Sequence, residues 1–127
     1  MSNKEYIKTS RAPAAIGPYS QAVKTGNLVF VSGQIPLDPA TMELNNSSVE
    51  SQAVQVFENF RAIAEAAGGQ LSDVVKLNIF LSDMSHFAIA NEVMTRYFSE
   101  PYPARAALAV KELPKQVDIE VEGVIAL

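Results

Sequence analysis

The chain has 127 residues, 48% of them hydrophobic, with a formal net charge of −4 and no cysteine. That length fits a single domain over 1–127 with a real core, and the acidic balance speaks against a nucleic-acid partner, which asks for a basic patch or stripe. The missing thiols exclude disulfides, thiolate nucleophiles and cysteine-ligated metals, and no apolar run reaches the length of about 18 residues that a membrane span needs, so the chain reads as cytoplasmic.

In chain order, residues 1–4 read as a loose end and Glu5–Lys8 as a short edge strand. Pro13, Gly17 and Pro18 make 9–20 an ordered loop. Ser20–Lys24 and Leu28–Ser32 flank Gly26-Asn27, a two-residue hairpin signal. Leu28–Val31 is apolar on both faces, which predicts a central strand. A polar loop over 36–46 follows. Ser47 with Glu50 fits a capping box for a helix reaching about Ala67, with Val49, Ala53, Val56, Phe57, Phe60 and Ile63 on its buried stripe. Gly68-Gly69 stops it. Val74–Leu81 reads as a strand, and Ser82-Asp83 caps a second helix over Ser85–Phe98. Pro101 and Pro103 lead into a strand around Arg105, and 113–116 turns the chain into a last strand over Val117–Leu127.

Two helices cover only one face of such a sheet. Val117, Ile119, Val121 and Ile125 belong under them, while Asp118, Glu120, Glu122, Val124 and Ala126 fall on the other face. That second face needs a cover the chain does not supply, and another copy of the protein is the simplest one. The short link between the last two strands suggests that they form a hairpin.

Chemistry-bearing residues are few. Alternation puts Arg105 with Ala107 and Ala109 on one face of its strand. A guanidinium keeps its charge, so Arg105 is either a receptor for a planar carboxylate or half of an internal ion pair. The lone His86 reads as a solvated residue, and no metal site or hydrolase triad has its partners. Polar groups in unexpected places remain: Tyr19 after the Gly17-Pro18 bend, Ser32 before Gly33, Asn91 beside a helical core position, and Glu120 away from the core. Each has an ordinary alternative. Tyr19 can pack its ring, Ser32 can satisfy a strand end, Asn91 can tie a loop, and Glu120 can be one of three solvated acids.

Taken together, these residues resemble the reactive intermediate deaminase, or YjgF, family. The matching blocks are 12–21 (APAAIGPYSQ), Ser32-Gly33-Gln34-Ile35-Pro36, Asp83-Met84 with Phe87 and Asn91, Pro103-Ala104-Arg105, Leu113-Pro114-Lys115, and Ile119-Glu120-Val121-Glu122. The resemblance implies an α+β, chorismate-mutase-like fold: a six-stranded mixed sheet, two helices on one face, and a homotrimer with clefts between subunits. It places the last strand between the third and fourth, against the hairpin. It implies hydrolysis of 2-imino acids to 2-oxo acids and ammonia, with no cofactor and no metal.

Carried over by position, Arg105 clamps the substrate carboxylate and Glu120 activates water. Tyr19 closes the cleft or assists proton transfer. Main-chain groups at Ala107 hold the imine nitrogen, Asn91 supports a loop, and Ser32 with Gly33 lies near substrate. Many active members carry cysteine where this chain has Ala107. The alternative reading is a module that binds a 2-oxo acid without turnover.

Overall fold

The structure, a computed structural model, describes residues 3–127. Met1 and Ser2, expected to begin the loose end, lie outside the described residues, and Lys4 already belongs to a strand. The elements are β1 (Lys4–Ile7), β2 (Ala22–Thr25), β3 (Leu28–Gln34), α1 (Val49–Ala66), β4 (Val74–Leu81), α2 (Phe87–Tyr97), β5 (Ala104–Ala109) and β6 (Ile119–Ala126).

The strands form one sheet in the order β1-β2-β3-β6-β4-β5. Only β4 and β5 are parallel; every other pair is antiparallel. The expected β5–β6 hairpin is therefore absent. The crossover through α1 leaves β3 and β4 parallel to each other with one strand's width between them. β6 fills that gap antiparallel to both, pairing Phe30 with Val124 on one side and Phe80 with Glu120 on the other. Its strict alternation of buried and half-buried residues suits a central position. The alanine-rich β5 is left at the edge.

Both helices lie on one face. Val56, Phe57, Phe60 and Ile63 of α1 and Val93 of α2 are sealed against Val29, Leu77, Ile79, Leu81, Ile119, Val121 and Ile125. Burying each of these large side chains contributes about 1.5–3 kcal/mol. Gly123 permits the close approach: a Cβ there would lie 2.5 Å from the Lys76 carbonyl and 3.0 Å from the Phe60 ring. On the opposite face Phe30 and Leu108 stay 48% and 42% exposed. Nothing among the described residues covers them.

Two helix starts differ from expectation. Ser48, not Ser47, is the N-cap of α1, and the reciprocal partner is Ser51 rather than Glu50. Ser48 is the residue that is extended (φ −158°, ψ 165°), so its hydroxyl reaches the Ser51 N–H at 3.0 Å. Glu50 instead pairs with Arg96 at 2.6 Å, tying α1 to α2. Asp83 does accept from the Ser85 N–H at 2.8 Å, but it caps a 3-10 turn over Met84–His86. The α-helix begins only at Phe87.

Candidate active site

Arg105 stands on β5 opposite Leu77 of β4, a core residue, so its side chain lies on the helix side of the sheet. At this edge it is exposed. Its Nη1 donates to Asn91 Oδ1 at 2.7 Å and lies 3.5 Å from the Met94 sulfur. The guanidinium carbon sits 5.3 Å from the centre of the Phe87 ring, an attractive placement over the π face. Asn91, expected to tie a loop, therefore touches the arginine. No carboxylate of the described residues pairs with Arg105, so the internal ion pair is not formed. Its remaining N–H edge is presented to a hollow of about 410 Å³ lined by Asn91, Met94, Thr95, Tyr102 and Pro103.

The backbone adds to this. The Val110 N–H donates to the Leu81 carbonyl. Main-chain groups alternate sides along a strand, so those of Leu108 and Ala106 also face β4. The N–H and C=O of Arg105, Ala107 and Ala109 then point away from the sheet at its free edge. An edge donor and acceptor at Ala107 thus sit two residues from the guanidinium.

Glu120 belongs to a different hollow, of about 520 Å³, lined also by Tyr19, Ser32, Gly33, Ile35, Lys115 and Glu122. It is opposite Phe80 on the face away from the helices. Gly33 makes room for it: a Cβ there would fall 1.9 Å from Glu120 Oε2. Burial, and then the Glu122 charge, push the Glu120 carboxyl above the usual carboxylate range. Ser32 Oγ donates to the Ser20 carbonyl and the Ser32 N–H to the Gln21 carbonyl. Its hydroxyl oxygen is thereby left to the hollow as an acceptor. The exposed Tyr19 ring leans on Gly17, and its hydroxyl accepts a long bond (3.4 Å) from the Ile16 N–H.

Arg105 and Glu120 consequently lie on opposite faces of one sheet. They line separate hollows of one chain. Among the described residues no three of His, Asp and Glu gather to hold a metal ion, and no helix is long and apolar enough to cross a membrane.

A model of one family, described as endoribonuclease L-PSP, matches residues 9–127. The crystal structure of RidA from an Antarctic Psychrobacter superposes with a TM-score of 0.94 at 55% identity, over 97% of this chain and 99% of that one. This chain belongs to the reactive intermediate deaminase (YjgF) family. A 2-iminobutanoate/2-iminopropanoate deaminase of Dermatophagoides farinae is 44% identical over 127 residues, which span 100% of this chain and 99% of that one. The E. coli TdcF structure with bound serine aligns at a TM-score of 0.93 and 43% identity, covering 97% and 98% of the two chains. The fold is thus the chorismate-mutase-like one that the family blocks implied.

Most of the family blocks contribute residues to the walls of the two hollows, whereas Asp83 and Met84 line neither. Among the described residues the buried polar ones, Gln21, Gln34, Gln52 and Asn59, are all amides. Each fixes backbone beside the Glu120 hollow. Gln21 bonds Thr9 through both its main-chain groups and also bonds the Ala12 and Pro13 carbonyls. Asn59 holds the Ile35 and Leu37 carbonyls, and Gln34 the Ser32 carbonyl. Gln52 brackets Asp118, two residues before Glu120, by accepting its N–H and donating to its carboxylate. Buried amides are costly unless bonded, so their agreement in purpose marks this wall as specified.

Two neighbours stand in the family blocks without a role assigned from sequence. Phe87 reads as part of a core stripe, yet its ring also carries the guanidinium. Lys115 lines the Glu120 hollow in a left-handed conformation (φ 55°). A glycine would have signalled that turn; a lysine gives no sign of it.

Proposed function

We propose that this protein hydrolyses 2-imino acids, of the 2-iminobutanoate and 2-iminopropanoate class, to 2-oxo acids and ammonia in clefts between copies of the chain. The observation that carries the reading is Arg105: a strand guanidinium at a free edge, steadied by a neutral amide, with no acid partner. Such a group is a receptor for a planar carboxylate. The name of the Dermatophagoides farinae relative points to the same substrate class.

The steps follow from the residue types. The open edge of the Arg105 guanidinium takes the substrate carboxylate through two parallel hydrogen bonds, which fixes the imine carbon and lowers the entropic part of the barrier. The Ala107 carbonyl at the strand edge accepts from the imine N–H. Glu120 takes a proton from water as its oxygen bonds to carbon 2, and passes that proton to the imine nitrogen. Glu120 then takes the hydroxyl proton of the resulting carbinolamine and delivers it to the nitrogen as the carbonyl forms and ammonia leaves. Tyr19 lies where it can close the Glu120 hollow. Ser32 and Gly33 shape the water side. The chemistry needs no cofactor. An alanine at 107 leaves the main-chain contacts in place, because they do not depend on its side chain.

Arg105 and Glu120 meet only if one copy brings its Glu120 hollow to the Arg105 edge of the next. The exposed apolar face, with Phe30 and Leu108, supports a homotrimer that turns these faces inward. RNA is a poor substrate for this arrangement despite the family model's description. The hollow offers two carboxylates beside one ammonium, and a polyanion is repelled.

Mixing tests the whole reading. Arg105→Ala and Glu120→Gln proteins, each inactive alone, are unfolded together and reassembled. Clefts built from two copies regain both intact groups in roughly a quarter of cases, so imine hydrolysis returns to about that share of the parent rate. Absence of recovery in an assembled mixture overturns the shared cleft. If the parent binds 2-oxobutanoate but never accelerates imine loss, the protein is a binding module.

A further inference from the structure

We propose that Glu122, held across the sheet by Asn78, tunes Glu120 as the proton acceptor of the proposed hydrolysis; the inference rests on that reading of Glu120. Residues 120 and 122 point to the same face of β6, about 6.6 Å apart along an extended strand. Both line the same hollow. Their immediate surroundings differ. Glu122 is directly opposite Asn78 of β4, whose Nδ2 donates to Glu122 Oε2 at 3.1 Å. A neutral donor favours the charged carboxylate without cancelling its charge. Glu120 is opposite Phe80, which donates nothing. No donor of the described residues bonds its carboxylate.

Glu120 is thus a half-buried acid without a donor, beside a second carboxyl that Asn78 holds in place. Burial is the larger influence on its proton affinity and the Glu122 charge the second, and both act upward. The other titratable groups of the same copy on this hollow are Tyr19 and Lys115, and in the proposed cleft the Arg105 guanidinium of the next copy faces it as well, acting downward in parent and Glu122 variants alike. β3 contributes Ser32, Gly33 and Gln34 there, none of them titratable. On β4 the nearest charge is Lys76, opposite Val124, two pairs further along than Asn78. A carboxylate with raised proton affinity is a stronger base toward water and a ready donor to departing ammonia.

Glu122→Gln keeps the shape and an acceptor oxygen for Asn78 while removing the charge. In the assembled protein, the acid limb of kcat/KM for imine hydrolysis then moves to lower pH. The plateau kcat falls several-fold as the base weakens, and KM stays at the parent value. Carbon-13 NMR titration of Glu120 in the substrate-free protein moves in the same direction. If Glu122→Gln fails to assemble, the double change Asn78→Val with Glu122→Val removes both partners of the hydrogen bond and reads the same charge.

An unmoved acid limb and an unmoved Glu120 titration overturn the proposal. So does a loss of kcat with the limb in place, which marks a merely structural role. Glu120→Gln, run alongside, separates the two levels. Normal turnover in that variant sinks the base assignment itself, whereas its inactivity together with an unmoved limb in Glu122→Gln sinks only the tuning.

Discussion

Gly33→Ala places a single methyl group where the Glu120 carboxylate lies. The new Cβ would sit 1.9 Å from Glu120 Oε2 and 2.9 Å from its carboxyl carbon. Real contacts stay beyond 3.0 Å, so the oxygen must retreat by at least 1.1 Å. The obstacle is the far end of a flexible side chain rather than backbone, and the Gly33 backbone is outside the left-handed region. The fold therefore tolerates the change. Stability shifts by less than about 1 kcal/mol, and the reduced freedom of the unfolded chain favours the variant. Activity is a different matter, because a misplacement of about 1 Å in a catalytic group costs on the order of a hundredfold. The assay follows hydrolysis of 2-iminobutanoate generated in place by a dehydratase, beside urea unfolding and light scattering. The expected result is an assembled protein of parental stability with kcat down roughly a hundredfold. Parental kcat would show that the observed seat of Glu120 is not the working one. A large loss of stability would show that Gly33 serves the fold rather than the carboxylate.

Asn91→Ala frees Arg105 Nη1 and raises KM about tenfold, the worth of one hydrogen bond to a charged group. Asn91→Asp puts a carboxylate where the amide oxygen now lies, 2.7 Å from Arg105, and raises KM further by competing with substrate; equal KM values in the two variants would refute the open-edge reading. Gln21→Ala orphans main-chain groups of Thr9, Ala12 and Pro13 and lowers the unfolding free energy by about 2–4 kcal/mol in urea titration, with a change under about 0.5 kcal/mol counting against the clamp. Glu120→Gln stabilises the fold at neutral pH. The Glu120 carboxyl is raised in the folded state, so its ionisation opposes folding above that range, and the penalty fades as pH falls through the folded value. Thermal melts should show the gain at pH 7 and its disappearance in acid; a gain that persists in acid would point to packing rather than charge.

Local pattern carried much of the architecture. The apolar stripe from Val49 to Ile63 needs a helix, because only a 3.6-residue period gathers those side chains on one side. The alternation in 117–126 needs a strand with one face buried. Cap details were less legible: Ser47 and Ser48 are equivalent as letters, and only the extended backbone of Ser48 selects it. Lys115 is hidden for a similar reason, since its left-handed turn is imposed by neighbours rather than by its own type. Nothing in the pattern around Gln21 and Asn59 marks them as buried, because their burial follows from the loops they bond.

The sequence by itself determined most of the elements and the family, and singled out Arg105 and Glu120 as candidates, because periodicity, turn residues and ordered motif blocks are local or fixed by spacing. Local pattern did not decide where β6 goes: the short link suggested a hairpin, the family resemblance placed the strand between β3 and β4, and the structure has it there. The gap that α1 leaves between β3 and β4 must be filled, and a strand's partner is set by that gap rather than by its nearest neighbour in sequence. The same placement decided that Arg105 and Glu120 face opposite sides of one sheet. Which face a side chain takes depends on the pairing of its whole strand with distant ones, and no stretch of chain records that alone.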